Sequence, residues 1–497
     1  MSQYKSVWIL LSLIILGCGN REHSVATSTD EIEIADTTFV TFDTYTPSNR
    51  QSPTQSEQPT AGNVLQEMNN RIGLEGIARE LSNSNFVISP PGMLMITGLT
   101  YAGSTDAAVL SPATSVVTTP PSQLPDAFNA WRQTFNTSNS AYRFNTRIWG
   151  QSNYQFLRNY LDSATEKFGA TLEPAAFQKF GWDVGSQLHS WLTTLELNES
   201  AIAASVLDGI DTTTRVVYGN AFQLDAKFDS ASVPTEIING LFEKPDGKQI
   251  RIPMLHRIDT LLYYESDFYK AAELALSSDT VSVLVVVPKQ NEFSLVEQSI
   301  TSVIANFDQS AHLQKLDFTL PLFEVDSTSR NYAAISSANS EILNSFFKTC
   351  DADGNCTTHS AWPNYENING LGYLELGDSE VTTLLKLDAI GISASSVAMC
   401  ELRATLDEPS GLISGGLSMG GGTIGLGIST CNLVYQQAGP TQARAFIFVV
   451  RDQKTKTVLF TGHMHAFDGQ YAGSEVCSQD LITYAEAIWP VVPEVAP

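Results

Sequence analysis

Arg444-Ala445-Phe446-Ile447-Phe448 and Val458-Leu459-Phe460-Thr461-Gly462 are two apolar runs near the end of the 497-residue chain. Both are rich in β-branched and aromatic residues, and each is almost continuously apolar. That composition is typical of strands buried on both faces of a sheet. The two runs therefore predict buried strands within a substantial hydrophobic core.

Three further runs have the same apolar, β-branched and aromatic character: Val216–Tyr218, Val281–Val287 and Phe318–Phe323. The first half of the chain is more helical. Leu65, Met68, Ile72, Ile77 and Leu81 recur at roughly helical spacing, and residues 154–168 are a second helical stretch. No internal repeat is apparent. The sequence predicts an α+β fold in one large domain.

Charge narrows the range of partners. The chain has 53 acidic and 28 basic residues, a formal net charge of -25, and 43% hydrophobic residues. Nucleic acid and other polyanions are poor partners for such a surface, because binding them requires basic patches that neutralise phosphates. We expect no nucleic-acid binding.

The N-terminus indicates export. Lys5 precedes the apolar run Val7–Leu16, which is too short to span a bilayer and has the length of a signal-peptide core. Ile15-Leu16-Gly17-Cys18 resembles a bacterial lipobox. Residues 1–18 are therefore predicted to be a lipoprotein signal peptide, with lipidation at Cys18 and a membrane anchor; plain cleavage near the same point is the alternative. The expected location is the outer membrane or cell surface, or the extracellular space.

Two segments have a composition that disfavours packing. Residues 19–62 are rich in Ser, Thr, Pro, Gln and acids, so we predict a disordered tether there and a folded domain over 63–497. Residues 411–427 contain eight glycines, which lose the most backbone entropy on ordering. They predict an exposed, mobile loop.

Several short blocks resemble one family. Asn85-Phe86-Val87-Ile88-Ser89-Pro90 resembles the opening of the serpins, and Val216-Val217-Tyr218-Gly219-Asn220-Ala221 resembles one of their strands. Blocks that begin at Ile252, Val283, Leu320, Arg444 and Val458 follow in family order and at about family spacing. The resemblance implies the serpin fold: a large central sheet A, sheets B and C, surrounding helices and an exposed reactive-centre loop. It also implies that Ser89 and Asn220 belong to the region where sheet A opens.

The resemblance assigns the reactive loop to residues 389–440. Its hinge would comprise Ala389, Gly391, Ile392, Ser393, Ala394, Ser395 and Ser396. In inhibitory serpins a peptidase cuts the loop, and the freed segment then inserts into the central sheet and distorts the peptidase. The hinge residues that enter the sheet must be small and uncharged, since a buried charge costs several kcal/mol.

The same resemblance places the cut bond. About fourteen inserted residues span roughly 46 Å, which matches one traverse of a globule of this size. Counting from Gly391 gives Thr405, followed by Leu406, as the first candidate; Arg403 is the second, because it would suit a trypsin-like enzyme. Ile392 is bulkier than the usual hinge residue. Val381 stands where the family has a histidine, so the hydrogen bond that this histidine would make with Asn220 is lost.

The cysteines other than Cys18 allow disulfides in an exported protein. Cys350 and Cys356 flank a short turn, and Cys400 and Cys431 bracket the glycine-rich segment. A Cys400–Cys431 bond would join the inserting segment to the segment left behind, so we expect it to restrain insertion. An ordinary loop staple, or two free thiols, is the alternative.

Other chemical signals are weaker. Gly416-Leu417-Ser418-Met419-Gly420 fits a hydrolase pattern but lacks the following helix that a nucleophile elbow needs. His463 and His465 alternate as metal ligands would, without an evident third ligand, and residues 351–355 resemble half of a calcium loop without its distal Glu. No metal, cofactor or enzymatic activity is expected.

Two functions from different classes remain. The first is a monomeric inhibitor of a serine peptidase, or alternatively a cysteine peptidase, that acts by loop insertion at the cell envelope. The second is a non-inhibitory serpin that acts as a binding or decoy protein. The small hinge favours the first, whereas Ile392 and the long glycine-rich segment favour the second.

Overall fold

The computed structural model describes residues 38–46, 59–79, 84–104, 108–110, 117–119, 124–135, 141–178, 181–197, 208–228, 235–243, 249–276, 280–330, 348–350, 356–358, 365–405, 442–467, 489 and 491–492. Its helices are α1 (Pro59–Arg79), α2 (Pro90–Ala102), α3 (Leu124–Gln133), α4 (Arg158–Glu166), α5 (Gly181–Thr194), α6 (Phe293–Gln298), α7 (Ile300–Ser310) and α8 (Glu366–Asn369).

The strands of the first half are β1 (Phe39–Val40), β2 (Phe86–Ile88), β3 (Ala108–Leu110), β4 (Val117–Thr119), β5 (Tyr142–Gln151), β6 (Phe156–Leu157), β7 (Thr171–Ala175), β8 (Thr214–Lys227), β9 (Glu236–Glu243) and β10 (Gln249–Glu265). Those of the second half are β11 (Tyr269–Ala275), β12 (Val281–Pro288), β13 (His312–Pro321), β14 (Phe323–Arg330), β15 (Lys348–Cys350), β16 (Cys356–Thr358), β17 (Leu374–Leu387), β18 (Gly391–Ala404), β19 (Gln442–Arg444), β20 (Phe446–Asp452) and β21 (Val458–Met464).

Two large sheets dominate the described residues. One has six strands in the order β14-β17-β18-β8-β5-β7, antiparallel except for the parallel pair β5 and β7. The other has nine strands along the path β19-β9-β10-β11-β12-β20-β21-β2, with β13 also paired to β10. The predicted α+β class, with several sheets and surrounding helices, is confirmed.

β10 joins what the resemblance separates into sheets B and C. Its 17 residues pair with β9 at one end, with β13 along the middle and with β11 at the other end. A strand of that length, roughly 56 Å at 3.3 Å per residue, can serve two sheet halves. The two predicted sheets are therefore one continuous hydrogen-bonded ladder in this protein.

The apolar runs form the core as expected. Every residue of β12, β20 and β21 is buried, which explains why their sequences do not alternate. One large cluster fills the space between the sheets, and a smaller one lies between the six-stranded sheet and α5. The helix expected over 154–168 is shorter, because Phe156 and Leu157 pair with β1 before α4 begins.

Part of the segment interpreted as a tether belongs to the folded unit. Phe39 and Val40 form β1, and Phe42 is buried with its ring centroid 4.7 Å from that of Phe156. Tyr45 donates a 2.7 Å hydrogen bond to Asp162. Four apolar residues within a polar segment are enough to anchor residues 38–46, although the average composition conceals them.

The C-terminal region also contacts the domain. Trp489 is buried, stacks on Phe318 at 5.1 Å between ring centroids and donates a 2.8 Å hydrogen bond to the carbonyl oxygen of Thr319. No helix among the described residues combines the length and apolar character that a bilayer crossing requires. Cys18 and residues 1–37 lie outside the described residues.

Candidate functional site: the strand Gly391–Ala404

The predicted hinge forms a central strand of the six-stranded sheet. β18 lies between β17 and β8 and pairs antiparallel with both, from Ile392 opposite Leu387 to Ala404 opposite Leu374. Residues 389–440 were expected in an exposed loop, yet 391–404 are hydrogen-bonded on both sides. Insertion satisfies backbone groups that an exposed loop would leave to water and adds a strand's worth of buried side chains.

A tight turn leads into β18. Asp388 accepts hydrogen bonds through Oδ1 from the backbone amides of Ile390 (2.8 Å) and Gly391 (3.2 Å), and its own amide donates to the Gly391 carbonyl at 3.0 Å. Ala389 and Ile390 are exposed at the tip. Asp388 thus closes the hairpin between β17 and β18 with three hydrogen bonds.

Gly391 is needed sterically. A Cβ built there would overlap the carbonyl oxygen of Ala226 and the Cα of Lys227 in β8. Glycine allows the two backbones to approach this closely. The hinge glycine therefore has a structural reason in this protein that is independent of any resemblance.

The two faces of β18 are covered by different layers. The side chains that join the main core are Ile392, Ala394, Ala398, Cys400 and Leu402. Val397 and Met399 point to the other face, where they pack with Trp191 of α5. Ile392, which departs from the usual small hinge residue, is 1% exposed and fits the core.

Serines occupy the middle of the strand. Ser393 is exposed, Ser395 is nearly buried, and Ser396 is fully buried with its hydroxyl 3.2 Å from that of Thr383 in β17. That contact satisfies the one fully buried hydroxyl of the three. Small polar residues can thus enter the sheet without leaving a buried hydroxyl unpaired.

Cys400 is a free thiol in this structure and is fully buried. The sequence analysis allowed a disulfide with Cys431, which lies outside the described residues. In β18 the Cys400 side chain faces the main core. Burial also raises the pKa of the thiol far above its usual value.

An acidic residue outside the predicted hinge, Glu401, also lies in β18. Its side chain is 0% exposed and contacts Arg403 Nη2 at 2.7 Å; Thr214 Oγ1 donates to its other oxygen. Arg403 also bonds to Asp378 Oδ2 and the Gly209 carbonyl, at 3.1 and 3.0 Å. Burial raises the pKa of Glu401, and these contacts only partly oppose it.

The contact between Arg403 and Glu401 could have been predicted from the sequence. Residues two apart on a strand share a face, so a Glu-x-Arg pair predicts a salt bridge. Asp378 and Thr214 could not be found in this way, because they lie on neighbouring strands far away in the sequence. Hydrogen bonding to Glu401 raises the pKa of Arg403, which keeps its charge.

The candidate scissile residues lie at the far end of β18. Thr405 follows the strand, and its amide donates a 2.9 Å hydrogen bond to the carbonyl oxygen of Tyr373. Arg403 is inside the strand. Leu406, Ser418 and the glycine-rich segment 411–427 lie outside the described residues. Thr405 as the last inserted residue remains a prediction.

Ser89, the residue before α2, and Asn220 of β8 are both fully buried. Ser89 Oγ donates to the Leu459 carbonyl at 2.9 Å, and Asn220 Nδ2 donates to Thr146 Oγ1 at 2.8 Å. Asn220 Oδ1 has no hydrogen-bond partner among the described residues. Ala398 of β18 stands between Asn220 and Val381, the position where the family has a histidine.

Cys350 and Cys356 are directly opposite one another in the β15–β16 ladder. Directly opposed residues of an antiparallel pair have the Cα separation that a disulfide requires. Their side chains lie outside the described part of the chain. The Cys350–Cys356 disulfide stays a prediction.

The structure adds a third polar group to the two histidines. Glu297 of α6 lies beside His463 and His465, and one ligand atom from each falls within 4.8 Å of the others. Burial, and then the charge on His463, lower the pKa of His465 to about 4. No third ligand was evident from the sequence, because Glu297 lies 166 positions before His463.

β18 follows a tight hairpin and lies between β17 and β8 in the middle of the six-stranded sheet. A family model described as "Serpin (serine protease inhibitor)" matches residues 72–347, more than half of the chain. The chain belongs to the serpin family. Serpins are generally protease inhibitors rather than catalysts.

Curated relatives and solved structures agree with this assignment. An uncharacterized serpin-like protein of Thermococcus kodakarensis is 24% identical over 36% of this chain and 42% of that protein, so the match spans less than half of the relative. Leukocyte elastase inhibitor A of Rattus norvegicus is 22% identical over 64% of this chain and 76% of its own length. The loop-inserted structure of a cleaved ovalbumin mutant matches with a TM-score of 0.59 at 16% identity, over 82% of this chain and 100% of that one.

Proposed function

We propose that this protein inhibits a serine-type endopeptidase by suicide loop insertion, at the cell envelope of a bacterium. The target cuts the reactive loop next to Thr405, and the segment Gly391–Ala404 then enters the sheet while the peptidase is still covalently attached. A cysteine peptidase is the alternative target. The envelope location rests on the lipobox-like residues that end in Cys18.

One observation carries the proposal: residues 391–404 fit the centre of the sheet along their whole length. Every residue from 394 to 402 is buried, and the absence of a side chain at Gly391 avoids an overlap with the backbone of β8. The strand has fourteen residues, about 46 Å at 3.3 Å each. A bound peptidase would therefore be carried across the molecule.

The test uses the full chain and two matched variants. Ala398→Arg places a long cation where Ala398 is fully buried, close to Gly92 of α2. Ser393→Arg places the same side chain on the same strand where Ser393 is exposed. Each protein is incubated with trypsin-, chymotrypsin-, elastase-, subtilisin- and papain-like peptidases and analysed by denaturing gel and mass spectrometry.

We expect wild type and Ser393→Arg to form a denaturation-resistant complex with at least one peptidase. Ala398→Arg should be cut at the same bond without retaining the peptidase, because a buried unpaired charge costs several kcal/mol. Complex formation by all three proteins alike would argue against insertion as the inhibitory step. Cleavage of wild type without any complex would reject inhibition of the peptidases tested.

A second candidate function is favoured by one specific observation. β18 already occupies the centre of the six-stranded sheet, between β17 and β8, while β19 is paired with β9. A sheet that already holds this strand has no vacancy left for the inhibitory step. A non-inhibitory serpin that acts as a binding or decoy surface protein is therefore the alternative, and cleavage without a complex across the whole panel would support it.

A further inference from the structure

Two histidines and a glutamate come together where α6 packs against the end of β21. His463 belongs to β21, His465 follows its last residue, and Glu297 belongs to α6. Their exposed fractions are 0%, 5% and 5%, so the cluster is closed to bulk water. What holds such a buried cluster together depends on whether its polar atoms have hydrogen-bond partners.

They are largely unsatisfied. Glu297 Oε1, His463 Nδ1 and both ring nitrogens of His465 have no hydrogen-bond partner among the described residues. Buried polar side-chain atoms are paired in the large majority of cases, and each exception needs an explanation such as an ion. A shared proton would satisfy Glu297 Oε1 and His463 Nδ1, which lie 2.5 Å apart, but it would leave both ring nitrogens of His465 without a partner.

The tautomer of His463 follows from its hydrogen bond to Ser84. Its Nε2 lies 2.9 Å from the carbonyl oxygen of Ser84, which can only accept, so Nε2 carries a hydrogen. A neutral His463 then directs the lone pair of Nδ1 at Glu297 Oε1, 2.5 Å away. Two acceptors this close require a cation between them, which is either a proton or a metal ion.

The surroundings are those of a metal-binding histidine. Ligating histidines usually donate their other ring N–H to a carbonyl or carboxylate, as His463 does to Ser84. The backbone amide of His465 donates to Asn85 Oδ1 at 2.8 Å, which fixes the end of the strand. Phe293 lies 4.3 Å from the ring of His465, between ring centroids, and adds an apolar wall.

The donor set selects the kind of metal. Two imidazoles and one carboxylate suit Zn²⁺ and its neighbours in the first transition row, whereas Ca²⁺ and Mg²⁺ prefer all-oxygen ligands. Tetrahedral Zn²⁺ with bonds of about 2.0–2.1 Å places its ligand atoms roughly 3.3 Å apart. The observed separations, from 2.5 Å to at most 4.8 Å, bracket that value, so small side-chain movements suffice.

We propose that Glu297, His463 and His465 bind one Zn²⁺ ion that fastens α6 to the end of β21. Binding releases any proton held between His463 Nδ1 and Glu297 to solvent. The fourth ligand is water, since three protein ligands leave one tetrahedral position open. Because the ion binds the folded chain, it stabilises that chain by an amount that grows with the logarithm of its free concentration relative to Kd.

The test measures zinc binding to the full chain after treatment with a chelator. Zinc content is read by plasma mass spectrometry, affinity by calorimetric titration with ZnCl₂, and geometry by the visible spectrum of the Co²⁺ form. The site variants are His465→Gln and Glu297→Gln. The control is His256→Gln, because His256 has carboxylate neighbours, Asp317 at 2.7 Å and Glu236 at 3.9 Å, at the surface.

We expect one Zn²⁺ per chain in wild type and in His256→Gln, a tetrahedral Co²⁺ spectrum, and a higher Tm with zinc than without. Each site variant should weaken binding by about tenfold or more, and its Tm should not respond to zinc. Should one site variant fail to fold, the other and the Co²⁺ spectrum still decide. Unchanged binding in a folded site variant, loss of binding in His256→Gln, or no binding to wild type would overturn the proposal.

Discussion

Gly391 opens β18 beside β8, and any side chain there would overlap the carbonyl oxygen of Ala226. Gly391→Ala should therefore destabilise the inserted form by about 1–3 kcal/mol, the usual cost of overpacking, because both contacting atoms belong to the backbone and cannot rotate away. The measurement is the urea midpoint of the uncut protein. The contact also explains a hinge glycine that the sequence supplied only by resemblance.

Gly185 provides the matched control. It lies in α5, and a Cβ at that position meets nothing within 4 Å. Gly185→Ala should leave stability unchanged or raise it by about 1 kcal/mol, since alanine is the better helix former. Equal behaviour of the two variants would show that the backbone approach at Gly391 is unimportant.

Glu401 makes insertion sensitive to pH. Its pKa is raised in the inserted strand, chiefly by burial, whereas an exposed loop would leave it near the ordinary value of 4.5. A group whose pKa rises on insertion favours insertion below the ordinary pKa and loses that contribution as pH rises through the raised pKa. Wild type should therefore lose stability relative to Glu401→Gln as pH rises from 4 to 8.

The comparison with Glu401→Gln removes the other titrating groups, which both proteins share. A glutamine can still accept from Thr214 and Arg403, and Arg403 keeps Asp378 as its charged partner. The measurement is the Tm of both proteins across that pH range. A difference that is constant, or that moves in favour of wild type at high pH, would show that Arg403 outweighs burial.

Residue-scale chemistry was the hardest part to predict. The hinge residues were assigned by resemblance to one continuous segment, and their role as a hinge stays a prediction. The contacts of Glu401 could not be found from the sequence, since Thr214 is 187 positions away. Glu297 was missed for the same reason: a cluster assembled from a helix and a strand leaves no local spacing to recognise.

β18 shows what sequence can say about an element. Its length of fourteen residues agrees with the number expected from one traverse of the molecule. Whether the segment lies in the sheet or outside it does not follow from its composition. That choice depends on a competition between the sheet, which offers hydrogen bonds along both edges, and the entropy of the free loop.

The predicted tether shows the opposite limit. Average composition indicated disorder over residues 19–62, yet Phe39 and Val40 pair with β6 and Phe42 enters the core. A few aromatic residues decide whether a short segment docks, and they carry little weight in an average over 44 residues. Local apolar content within five-residue windows would have flagged this segment.

At the scale of the whole molecule, β19 and Thr405 lie at opposite ends of β18. Phe323 pairs with Leu387, close to the Gly391 end of β18. Pro321, two residues before Phe323, pairs with Met254 in the nine-stranded sheet. Met254 also pairs with β9, the strand that holds β19. The uncut chain must therefore return about 46 Å from Thr405 to Gln442, which is the length of β18.

The return is possible because the connection is long. It has 36 residues, Leu406 to Thr441, with a maximum reach of roughly 120 Å. We infer that residues 406–441 are long enough for β18 to lie in the sheet of the intact chain while β19 stays paired with β9. A connection too short to span that distance should forbid the uncut, inserted form.

Deletion of residues 407–435 leaves seven connecting residues with a reach of about 25–30 Å, well short of the distance required. We expect β18 to stay out of the sheet in that variant, so Cys400, buried in wild type, should become open to alkylation, and Tm should fall. Deletion of 411–427 alone leaves 19 residues, about 65 Å, and should behave like wild type. Alkylation is read by mass spectrometry of the Cys400 peptide, before and after a peptidase cuts the shortened connection. In the 407–435 deletion alone, cutting the connection should protect Cys400 and raise Tm, because only that connection is too short to let β18 enter the sheet. Protection of Cys400 in all three uncut proteins would show that connection length does not control insertion.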